Sequence, residues 1–130
     1  MRDFRKLDVW ERAHTLAQSV CMLTDDRPGL VRYGLASQIR DAGVDIPSNI
    51  ARGCGGSGND GAQRWYFNAA IGSAASLEYL VLLASELGLI PDDEHEWFTV
   101  MAVDIQKMLR VMVEENETER RNPASLTLVQ

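Results

Sequence analysis

The sequence predicts an all-α fold, an antiparallel up-and-down four-helix bundle, on three observations. Four stretches repeat their apolar residues with the 3.6-residue period of an α-helix. Pro- and Gly-bearing punctuation separates these stretches, and no convincing two-residue alternation marks a β-strand anywhere in the chain. With 130 residues, 45% of them hydrophobic and 25% charged, the composition is that of a single globular domain. A chain of this size buries about two-thirds of its unfolded surface without needing disulfides, and it leaves no room for a second catalytic domain.

Val9, Ala13, Leu16, Val20 and Leu23 share one narrow face, so a first helix starts near Val9 with Asp8 as its expected N-cap. Thr24-Asp25-Asp26-Arg27-Pro28-Gly29 ends it with residues that favour turns. A second helix is expected over residues 31–53, where Leu35, Ile39, Ala42, Ile46 and Ile50 form the apolar stripe. Ser37, Asp41, Asp45, Ser48 and Arg52 occupy its opposite face. Pro47 falls inside this pattern, removing one backbone hydrogen bond and crowding the carbonyl of Gly43. Glycine relaxes there more easily than a bulky residue, which predicts a kinked but continuous helix near Pro47.

The run from Gly53 to Gly61 formally matches G-x-G-x-x-G at Gly53, Gly55 and Gly58. It follows a helix rather than a strand, and no Lys-Ser or Lys-Thr comes after it, so neither a dinucleotide fingerprint nor a P-loop is indicated. A helix end followed by a turn is the better reading. Asp60 and Gln63 resemble a capping box that opens a third helix, running to Leu87 with Gly88 as its stop. Its inward stripe is Phe67, Ile71, Ala74, Leu77 and Val81, and the small residues of 69–76 let a neighbouring helix come close. After Pro91, the acids Asp92, Asp93 and Glu94 suit the positive end of a fourth helix, expected to reach about Glu115. Phe98, Met101, Ile105, Met108, Leu109 and Met112 form its core face. Val100, Val103 and Val111 lie on its reverse face, where β-branched side chains point to burial against another subunit. The bundle is thus assigned to 1–115, and 116–130 reads as a polar, mobile tail broken by Pro123.

The net charge is −6, with nine acidic and four basic residues over 92–130 against three and four over 1–24. An acidic chain repels phosphate backbones unless its cations are segregated. No uninterrupted apolar run approaches the roughly 18 residues of a membrane span, and no apolar leader follows the first six residues, so a cytoplasmic protein is expected. Cys21 and Cys54 lack motif spacing and read as small packing residues. His14 and His95 sit on distant helices, and Asp93, Glu94 and Glu96 beside His95 point in different directions, so no metal site and no cofactor is expected.

One charge is out of place. Glu78 lies about 20° from Phe67 on the helical wheel, inside the apolar stripe, and a carboxylate there needs a partner. Gln38 and Asn49 flank the second helix's stripe as possible donors, with Arg40 as the cationic candidate. The expectation is a structural buried polar network of Gln38, Arg40, Asn49 and Glu78.

Phe4, Leu7, Val9, Trp10 and Ala13, then Tyr33-Gly34-Leu35-Ala36-Ser37-Gln38-Ile39-Arg40 and Ile46-Pro47-Ser48-Asn49-Ile50-Ala51-Arg52-Gly53, carry a further signal. With Leu77-Glu78 in a small-residue third helix, this pattern resembles the four-helix-bundle family named for proteins encoded by intervening sequences in bacterial large-subunit ribosomal RNA genes. The resemblance spans about residues 4–115 and implies an antiparallel bundle that assembles into a ring of five, as does the related accessory variability determinant of diversity-generating retroelements. Two departures stand out: Arg52 occupies a position where the family commonly has glutamate, and Cys54 replaces an aromatic or bulky residue. The retroelement relatives are basic and bind nucleic acid, a property that transfers poorly to an acidic chain. No enzyme activity comes with the family.

The function expected is therefore a non-enzymatic, homo-oligomeric, pentameric scaffold or adaptor for an unidentified protein partner, with no membrane role. One alternative is an RNA- or DNA-binding ring in which Arg2, Arg5, Lys6 and Arg12 track phosphates. A second is an enzyme using Glu78 as acid or base, which requires an accessible pocket beside it.

Overall fold

The computed structural model describes residues 3–56 and 60–121, without the side chains of 60 and 119–121. Among them every regular element is helical. A short 3-10 turn at Phe4–Lys6 precedes α1 (Asp8–Asp25), α2 (Pro28–Arg32), α3 (Leu35–Cys54), α4 (Asp60–Glu86) and α5 (Asp92–Arg121). Helix α3 packs against both α1 and α4, and α5 packs against α4 and more lightly against α1. The four long helices thereby close around one core.

Periodicity explains why. The five residues assigned to the first helix's stripe are all buried, as are the five of the second, and the deepest side chains include Leu16, Ile39, Ile46, Ile50 and Leu77. Asp8 is the first residue of α1 rather than its cap: Leu7 holds the cap position with no side-chain hydrogen bond. The carboxylate still lies in the first turn, where the helix dipole favours it.

Three boundaries differ from the sequence reading. Pro28 opens a separate five-residue helix, because its fixed φ suits a first helical position, and Gly34 then reverses the chain at φ 72° before α3 begins. Helix α4 ends at Glu86, and Gly88, also at φ 72°, closes it: its N–H donates to Ser85 O and that of Leu89 to Ala84 O, a Schellman arrangement. Helix α5 continues to Arg121, six residues past the expected end, and within that extension Asn116 Nδ2 donates to Gln63 Oε1 at 3.0 Å. The rest of the expected tail, 122–130, lies outside the described residues, as does the Asp60 side chain of the expected capping box.

Close packing rests on two glycines. A Cβ on Gly43 would sit 2.8 Å from Val20 Cγ2, and one on Gly53 would sit 2.8 Å from the Phe67 ring. Both therefore let helices approach as far as backbone and side chain allow. The core faces of α4 and α5 are turned relative to the sequence reading. Ala70, Leu80 and Ala84 join Phe67, Ala74, Leu77 and Val81 inside, whereas Ile71 is only half-buried. In α5 the inner row is Phe98, Ala102, Ile105, Leu109 and Val113, and Met101, Met108 and Met112 pack at its edge. Alanines decide the rotation, since a helix presents its smallest side chains where a neighbour comes nearest. Residues 61–86 are also long and apolar enough to cross a membrane by length and composition, which counting uninterrupted apolar runs did not register.

Candidate interaction surfaces

Turning α4 moves Glu78 from the middle of the apolar stripe to its edge. It is half-buried, and its Oε1 accepts from Gln106 Nε2 at 2.9 Å. Gln106 is itself only 5% exposed, and its Oε1 lies 3.4 Å from Arg110 Nη2, which donates to it. The carboxylate is thus linked to a cation through a buried amide, in which each end of the amide meets the charge its dipole prefers.

The expected network of Gln38, Arg40, Asn49 and Glu78 does not form. Gln38 is exposed and donates to Gly34 O within its own first turn. Arg40 turns toward α1, where its Nε donates to Thr24 Oγ1 at 3.3 Å, and the buried Asn49 accepts from Arg52 Nη1 at 3.3 Å. No hydrogen bond joins any of the three to Glu78 among the described residues. The reason is register: a wheel drawn for α3 alone cannot say which flank faces α4, and Gln106 on α5 supplies what α3 was expected to supply.

Two of the four basic N-terminal candidates have a carboxylate beside them. Arg5 lies 3.5 Å from Asp3 and stacks over the Phe4 ring at 4.5 Å, and Arg12 lies 3.7 Å from Asp104 on α5. Lys6 is exposed, and Arg2 lies outside the described residues. Pairing with carboxylates lowers the positive potential that a phosphate backbone would require. A stronger ion pair joins Arg27 to Glu94 at 2.7 Å, each about one-third exposed, and ties the α1–α2 connection to the start of α5.

Apolar surface is more prominent than charge. Val100 and Val111 are 51% and 52% exposed and Val103 is half-buried, so the valine face of α5 does point outward, beside a 41% exposed Trp97. A second apolar surface escaped the sequence reading: a groove of about 580 Å³ between α1 and α3, lined by Trp10, Ala17, Cys21, Met22, Val44 and Pro47 among others. His14 stacks on Trp10 at 4.7 Å along its edge. Its residues come from two elements, and nothing in either stretch alone shows that they meet. Among the described residues no group of three or more His, Cys, Asp or Glu side chains is placed to hold a metal ion. Cys21 is exposed and Cys54 buried, and no disulfide joins them.

Fold and surfaces together define a class: among the described residues, an all-helical arrangement with one apolar core, short polar ties between helices, and exposed apolar faces. Residues 5–111 match the profile of the 23S rRNA-intervening sequence protein family, and the chain belongs to that family. No curated protein matches it.

Proposed function

We propose that this protein is a non-enzymatic helical-bundle scaffold or adaptor that works in the cytoplasm as a ring of five identical copies and holds an unidentified protein partner. The observation that carries this reading is the outward face of α5, where Trp97, Val100 and Val111 stand exposed on a helix whose inner face is already filled. A closed ring needs two different patches per copy, and the groove between α1 and α3 is a second one. Contacts between α4 and α5 support an up-and-down antiparallel bundle: Gln63 meets Asn116 while Glu78 meets Gln106, so numbering rises along α4 as it falls along α5. A bend at Pro47 completes the fold, following from the hydrogen bond that proline cannot make to Gly43 O.

Sedimentation equilibrium tests the assembly. A mass five times the 14.5 kDa of one chain, or twice that, is expected at micromolar concentration, falling below five copies when Val100 and Val111 are both replaced by glutamate. A wild-type monomer would overturn the ring. The carboxylates beside Arg5 and Arg12 weigh against the nucleic-acid alternative.

A further inference from the structure

Helix α4 carries a second apolar seam, on the side turned away from its own core. Trp65, Gly72, Tyr79 and Glu86 recur at seven-residue intervals, with Asn68, Ala75 and Leu82 between them, giving the alternating spacing of three and four that marks a coiled-coil contact. Every one of these residues is exposed. Trp65 is 67% exposed, Tyr79 59% and Leu82 41%, and Glu86 is the only charged side chain in the row.

Gly72 is the second observation. The two glycines inside α3 are each explained by a neighbour, Val20 against Gly43 and Phe67 against Gly53. A Cβ on Gly72 would meet nothing within 4 Å, and its φ is not in the left-handed range. Glycine in a helix interior is destabilising relative to alanine, so this chain's own fold gives no reason for it. Close approach by something outside the chain does.

We propose that two copies pair through this seam, their α4 helices antiparallel about a two-fold axis at Ala75. The seam is self-complementary only in that arrangement. Tyr79 of the partner subunit then lies over Gly72, and Leu82 of the partner subunit lies beside Asn68, so large side chains meet small or flat ones at both ends. A parallel pairing would instead set tyrosine on tyrosine and glycine on glycine, which leaves a clash and a gap. Six helical turns present a face about 33 Å long, on the order of 600 to 800 Å² per copy, close to what a standard interface buries. An isologous contact of this kind uses one patch twice, and it is separate from the ring proposed above.

The experiment is oxidative cross-linking of the full chain in a Cys21→Ser background, with Ala75→Cys on the proposed axis and Glu114→Cys as an off-seam control, read beside sedimentation equilibrium. The Ala75→Cys chain should give a disulfide-linked dimer in high yield and the control should not. Gly72→Leu, which enters open space within one chain and should leave the circular dichroism spectrum intact, should weaken the pairing at least 100-fold. An assembly whose mass Gly72→Leu leaves unchanged would overturn the proposal, as would a wild type that associates while the Ala75→Cys chain fails to cross-link. The outcomes separate the two contacts: two copies support this seam alone, five support the ring alone, and ten support both. A monomer that co-sediments with phosphatidylcholine vesicles would put lipid on this face in place of a second copy, and would overturn the pairing as well.

Discussion

At the scale of single residues, Gln106 does more than its neutral side chain suggests. Buried between Glu78 and Arg110, it donates to one charge and accepts from the other. Gln106→Leu keeps the volume and deletes both bonds, leaving a half-buried carboxylate unpaired, and should destabilise the fold by about 1 to 3 kcal/mol in urea unfolding. Glu78→Ala in the Gln106→Leu background should then add little, so a double-mutant cycle reads the coupling directly. Gly43 makes a second residue-scale prediction. Gly43→Ala gains helix propensity but drives its methyl into the β-branched Val20, and overpacking of that kind costs roughly 1 to 3 kcal/mol, so the melting temperature should fall. Val20→Ala in the same chain should recover part of the loss, which a mere change in propensity would not explain. Neither contact was legible in the sequence. Gln106 belongs to no motif along the chain, and its partner Glu78 lies on another helix.

At the scale of elements, helix ends and helix rotations behave differently. Ends were legible wherever backbone chemistry sets them: Pro91 precedes α5, and Gly88 closes α4 because a left-handed residue is needed to turn Leu89 back onto Ala84. Gly88→Ala should therefore cost about 1 kcal/mol, seen as a lower thermal midpoint, whereas Gly56→Ala, where a Cβ meets nothing and φ is not positive, should leave it unchanged. Rotations were less legible. The row 69–76 announced close packing, yet Ala70 and Ala74 face the core while Gly72 and Ala75 face water, so a single stretch of small residues serves two surfaces. Average hydrophobicity cannot separate them, because alanine weighs little in any stripe and still decides where a neighbour fits.

At the scale of the whole molecule, one core holds four long helices, and its deepest residues are shared between elements. Leu77→Ala empties a fully buried site and should destabilise by about 2 to 5 kcal/mol, a loss visible as a urea midpoint that shifts at constant slope. Spacing along single stretches of chain was enough for the all-helical class and for the apolar stripes of α1 and α3, while the family came from the resemblance of particular motifs and the profile match. Three features waited for the assembled bundle: Glu78 answers to α5 rather than α3, Arg12 faces Asp104 on α5, and a groove opens between α1 and α3. Periodicity reports which side of a helix avoids water. It carries no information on which neighbour covers that side or how far each helix turns about its own axis, and those are settled only when all the side chains pack at once.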